Sequence, residues 1–182
     1  MHGTLYGIGV GPGAADLLTL RAIEAMGRCD VILGATRTGN DFSRALEIAR
    51  PHLPPHHQEL ALNFPMTRDR ATLEQAWSLA ADKTLAILAQ GKNAAFLTLG
   101  DPLTYSTFGY LLAAVRKRDP HCKITVIPGI TSYQAASARL LLPLCAGQEH
   151  LHILSGIASE ANLTSQLSNT DTAVILKAYR NF

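Results

Sequence analysis

Leu5-Tyr6-Gly7-Ile8-Gly9-Val10-Gly11-Pro12-Gly13 stands near the start of the chain, an apolar run that breaks into glycine and proline. It reads as a short buried strand entering a tight loop, because glycine and proline punctuate a run too short for a helix. The pattern returns twice. Ala94 to Leu99 runs into Gly100-Asp101-Pro102, and Ile124 to Ile127 runs into Pro128-Gly129. Val31-Ile32-Leu33 is a further strand, as are Leu151 to Leu154 and Ala173 to Leu176. Amphipathic segments lie between them. Leu18, Ala22, Ala25 and Met26 form one helical face, with Asp16 as its cap. Asn40 to Ala49 reads as helix and is stopped by Pro51 to Pro55. Arg68 to Gln90 is the longest helical stretch, with Leu73, Trp77, Ala80 and Ile87 near one face and Gly91 as its stop. Ser106 to Arg118, Thr131 to Leu142 and a segment near Glu160 to Leu167 complete the helices. Strands alternating with helices argue for an α/β fold with a mainly parallel sheet.

The polar break Lys117 to Lys123 is the expected domain boundary, giving an N-terminal α/β domain over 1–118 and a second over 119–182. At 182 residues, 47% hydrophobic and 16% charged, the chain has the composition of a folded protein. Mean hydropathy of +0.11 leaves some apolar surface for a partner or ligand. A net charge of +2 is too small to argue for nucleic acid. Cys29, Cys122 and Cys145 are widely spaced and form neither a disulfide framework nor a zinc knuckle. The expectation is reduced thiols, no secretory leader, no membrane span and a cytoplasmic protein.

Loops at strand ends are where open α/β sheets bind ligands. Gly9-Val10-Gly11-Pro12-Gly13-Ala14 satisfies the G-x-G-x-x-A dinucleotide pattern, although Pro12 removes an N–H that a phosphate needs. Gly34 and Ala35 stand about twenty residues further on, where an acid would bind the ribose. Arg37 can hold a 2′-phosphate instead, so an NADP-binding oxidoreductase stays open, as does a purely structural turn. Asp101 can accept bonds from an ammonium or sugar hydroxyl, or simply cap the helix that follows Tyr105. Thr131 and Ser132 place hydroxyls where a helix begins, to bind a ligand or to cap.

Three segments in this order resemble the tetrapyrrole methylases, the class III methyltransferases. They are Leu5 to Gly13 with Leu17-Leu18-Thr19-Leu20, then Leu97-Thr98-Leu99-Gly100-Asp101-Pro102, then Val126-Ile127-Pro128-Gly129-Ile130-Thr131-Ser132. Thr172 to Lys177 resembles a strand of that family's second domain. Phe64-Pro65-Met66-Thr67, Tyr105 to Tyr110 and Tyr133 to Arg139 look most like the subgroup that methylates precorrin-2 or cobalt-factor II at carbon 20, in cobalamin biosynthesis.

The resemblance implies two α/β domains with S-adenosyl-L-methionine in the cleft between them, leaving as S-adenosyl-L-homocysteine. It implies cofactor contacts at Pro12, Leu99, Gly100, Asp101, Thr104, Thr131, Ser132, Leu176 and Lys177. It further implies a homodimer and a tetrapyrrole, rimmed by carboxylates, in a trough of the first domain. Family members continue beyond the equivalent of Lys177, so the second domain is expected to be incomplete here. Uroporphyrinogen methylases carry an Asp after the second strand. Gly34-Ala35-Thr36-Arg37 stands there instead, so no base is transferred.

Methyl transfer from a sulfonium needs alignment rather than a Ser/His/Asp or Cys/His nucleophile. Arg37, Arg44, Arg68 and Arg70 are candidates for substrate carboxylates, Arg37 first because it ends a strand. Tyr105 and Tyr110 can face substrate or serve the core. His52, His56 and His57 lie among prolines with no scaffold to fix a metal, so no metal site is expected. Methylation elsewhere on a corrin precursor is the nearer alternative to carbon 20.

Overall fold

The apolar runs become parallel strands of one sheet in the computed structural model, which describes residues 2–40, 42–156, 163–164 and 167–177. β1 (Leu5–Gly9), β2 (Val31–Thr36), β3 (Gln58–Asn63), β4 (Ala94–Thr98) and β5 (Ile124–Ile127) lie in the order β3-β2-β4-β1-β5. Every pairing in it is parallel, so all five C-terminal ends share one edge. Side chains alternate between the two faces. Val31, Leu33, Ala94 and Phe96 pack with α3 (Arg70–Ala89) and α4 (Phe108–Arg118). Ile32, Ala95 and Leu97 pack with α1 (Leu20–Met26) and α2 (Arg44–Ala49). β4 is buried at every position, which is why its sequence is apolar without alternation.

Three expectations are corrected here. The first unit runs from Met1 to Thr131, past the expected break at Arg118 and Asp119, because β5 pairs with β1 and completes the first sheet. α1 begins at Leu20 rather than after Asp16. Thr19 is its cap, accepting the Ala22 N–H on Oγ1 at 3.1 Å, while Asp16 sits in a separate short 3-10 turn. The dinucleotide reading fails on topology. Its fold sets β1 between β2 and β4 and starts a helix at the glycine loop. Here β1 lies between β4 and β5, and the α-helix starts only at Leu20.

The second unit, Ser132–Phe182, holds α5 (Ser132–Leu140) and a parallel pair, β6 (Leu151–Ser155) and β7 (Thr172–Leu176). The helix expected near Glu160 to Leu167 lies mostly outside the described residues. No helix among the described residues is long and apolar enough to cross a membrane.

Candidate functional site

β4, β1 and β5 are neighbours, so the three loops singled out in the sequence leave the sheet side by side. Their backbones touch. Gly100 donates its N–H to Gly11 O at 2.8 Å, and Val10 donates to Thr98 O at 2.9 Å. Gly100 does this at φ 63°, in the left-handed region that a side chain disfavours. A Cβ on Gly129 would lie 2.2 Å from Gly100 O, and one on Gly9 would lie 2.4 Å from the same oxygen. Hydrogen is the only substituent that lets the three turns meet.

Asp101 ties the cluster together. Its Oδ1 accepts the Leu103 N–H at 2.9 Å and the Thr104 hydroxyl at 3.1 Å, and its Oδ2 accepts the Gly129 N–H at 3.3 Å. A carboxylate offers about four acceptor positions. Three are engaged within the protein. Asp101 is therefore first a clamp on its own turn and on the β5 turn. Behind it, Thr98 and Ser106 share a hydroxyl contact at 2.8 Å that braces the start of α4.

Around this platform Leu99 is 47% exposed, Pro12 and Thr104 are half-buried and Thr131 is buried; in the second unit Ser132, the first residue of α5, is exposed. An apolar side chain beside polar groups suits a nucleoside carrying a charged tail. Tyr105 closes the β4 turn at φ 49°, a rare backbone state for an aromatic residue, with half of its surface exposed. Tyr110 is also half-exposed, but one face of its ring stacks on Trp77 at 4.4 Å and 1° between planes. Leu176 ends β7 in the second unit, and Lys177 follows it. Leu176 O accepts the Gly156 N–H at 2.7 Å, and Lys177 has φ 58°.

Arg37 is exposed at the end of β2, and its main chain pairs with Asn40 across a tight turn. It makes no ion pair among the described residues, whereas Arg70 is paired with Glu74 at 2.7 Å. His57 sets its ring nitrogens against Pro54 O and Glu59 Oε1, at 2.6 and 3.1 Å. Sequence reading missed the contacts of Gly9 and Gly129 and the Thr98–Ser106 brace. The only signal for them was glycine or hydroxyl at the ends of strands not yet known to be neighbours.

A family model described as Tetrapyrrole (Corrin/Porphyrin) Methylases matches residues 4–182. A cobalt-precorrin-2 C(20)-methyltransferase of Salmonella typhimurium is 36% identical over 183 residues, covering 100% of this chain and 76% of that one. Among solved structures, a cobalamin-synthesis-related protein (CobF) of Corynebacterium diphtheriae superposes with a TM-score of 0.76 at 23% identity, covering 96% of this chain and 72% of that one. A uroporphyrin-III C-methyl transferase of Thermus thermophilus, complexed with S-adenosyl homocysteine, gives 0.58 at 21% identity over 86% of this chain and 57% of its own. At those identities the two structures speak for the fold.

Proposed function

Because this chain belongs to the tetrapyrrole (corrin/porphyrin) methylases, we propose that it methylates carbon 20 of precorrin-2 or its cobalt-bearing form, in cobalamin biosynthesis. S-adenosylmethionine supplies an activated methyl group when bound. The protein's own residues bind, orient and exclude water. Such alignment lowers a barrier by roughly 7–11 kcal/mol. The reading rests most heavily on one observation, the convergence of the β1, β4 and β5 turns around Gly100 and Asp101 at a single sheet edge.

In this reading Leu99 and Pro12 supply apolar contact, and the Gly100 main chain and the free acceptor position of Asp101 supply polar contact. Thr104 holds Asp101 in place, while Thr131 and Ser132 line the β5 turn. Leu176 and Lys177 are the second unit's share of the proposed cofactor contacts. Arg37 and Tyr105 face the macrocycle, Arg37 as an unpaired cation for a carboxylate. Tyr110 is reduced to an edge contact, since Trp77 covers one face of its ring. No residue is assigned as a base. A cytoplasmic homodimer completes the proposal.

The test is incubation with S-adenosylmethionine and, separately, metal-free and cobalt-bearing precursor, reading product mass and methyl position. One added methyl at carbon 20 is expected. Calorimetry should detect S-adenosylhomocysteine and not NADPH. Binding of NADPH alone would overturn the assignment.

A further inference from the structure

A cleft of about 300 Å³ opens between α3, from Thr72 to Lys83, and the C-terminal ends of β2 and β3. Its position follows from the topology. Thr38 lies just past β2, and Asn63 ends β3, so the cleft lies along the same sheet edge as the glycine turns. Its walls are of two kinds. Leu62, Pro65, Ala76 and Leu79 give an apolar lining long enough for a short aliphatic chain. Gln75 and Lys83 stand on α3 at a spacing of eight residues with Leu79 midway, which puts all three on one helical face.

Lys83 is the charged residue among those that line the cleft. No acidic residue lines it. Lys83 makes no ion pair among the described residues. The nearby acids are engaged elsewhere: Asp69 with Thr72, Glu74 with Arg70, and Asp82 with Arg118. Thr38 and Asn63 contact each other at 3.2 Å, which leaves one amide N–H of Asn63 to donate. A lysine ammonium and two amides above an apolar trench match a methylene arm that ends in a carboxylate.

We infer that this cleft receives one carboxylate arm of the macrocycle, with Lys83 as its cation. The inference rests on the tetrapyrrole reading above. Strand spacing supplies the scale. From β3 to β1 is three strand steps, roughly 14 Å, a span that a broad ring with arms can bridge while its centre lies nearer the methyl donor. At about 300 Å³ the cleft is at the small end for a ligand pocket, and suits an arm rather than a ring.

The chain's only tryptophan, Trp77, lies on α3 and reports binding directly. Uroporphyrin III, a stable octacarboxylate, is titrated against the full chain while Trp77 emission is followed. Lys83→Met should weaken quenching by about three- to tenfold in Kd, a range set by the exposure of the lysine, and Gln75→Leu should do so by less. Lys83→Arg should restore binding, and added salt should shrink the difference. S-adenosylhomocysteine affinity, measured on the same variants, should not move. If the parent binds porphyrin and Lys83→Met binds it equally well, the cleft assignment is wrong while the methylase reading stands. If the parent quenches with no porphyrin, the tetrapyrrole reading fails first and the cleft assignment falls with it.

Discussion

Asp101 accepts the main-chain N–H of Gly129 through Oδ2 at 3.3 Å, joining the end of β4 to the end of β5 across β1. The bond spans 28 residues of sequence, and it makes the platform proposed for the cofactor one object rather than three loops. The carboxylate thus has two duties. It fixes its own turn and the β5 turn, and in the proposed function its remaining acceptor position serves the cofactor.

Asp101→Ala removes both. The Gly129 and Leu103 N–H groups lose their acceptor, at a cost of about 1–3 kcal/mol each where water does not replace it. Affinity for S-adenosylhomocysteine, measured by calorimetry, should drop by about tenfold or more. Asp101→Asn keeps one acceptor oxygen and should fall between. Equal affinity in all three proteins would remove the platform from the cofactor site.

Gly129→Ala tests the closeness of the turns. A methyl group there would meet Gly100 O at 2.2 Å, and neither backbone can yield without moving a strand end. Overpacking of this kind costs about 1–3 kcal/mol. Gly109 is the matched control. It lies in α4 with nothing within 4 Å of a built Cβ, so Gly109→Ala should gain about 0.5–1 kcal/mol through helix propensity. Thermal melts should therefore shift in opposite directions, and a shared direction would contradict the packing described.

How much of this was legible beforehand depended on burial. β4 and its loop were readable because a strand covered on both faces leaves an unbroken apolar run. β3 was missed, because Gln58-Glu59-Leu60-Ala61-Leu62-Asn63 is an edge strand that buries Leu62 fully and Leu60 in part. The start of α1 was misplaced because Asp16 and Thr19 are both capping residues, and only the geometry shows which one bonds to the helix. The contacts among Asp101, Gly9 and Gly129 depend on strand order, which periodicity does not carry. Lys83 was passed over for the arginines because nothing in the local sequence says that α3 walls a cleft.

The three thiols should separate by environment. Cys29 is buried and donates to Ala25 O at 3.2 Å. Burial first, and Asp30 second, push its pKa up to about 12. Cys122 is half-buried, and burial followed by Asp119 raises its thiol, with Arg116 acting the other way. Cys145 is exposed. At about pH 8 the thiolate fraction of Cys29 is on the order of 10⁻⁴. A thiol reagent should label Cys145 first, Cys122 more slowly, and Cys29 only in denaturant. Rapid labelling of Cys29 in the native protein would contradict the packing of α1.

Asp69 caps α3, accepting the Thr72 N–H at 2.9 Å and the Thr72 hydroxyl. The hydroxyl first, and the backbone N–H second, hold its carboxyl below the usual carboxylate range. A depressed folded-state pKa gives stability that is fully present above the unfolded value of about 3.9 and fades as pH falls through the lower folded value. Asp69→Ala should therefore be less stable than the parent near neutrality, by an amount that stays level down to about pH 5 and closes in stronger acid. Denaturant melts of both proteins across that range give the measurement. A gap that widened as pH fell would carry the wrong sign. α3 also holds Gln75, Trp77 and Lys83, so fraying its first turn should weaken porphyrin quenching in step with the loss of the cap.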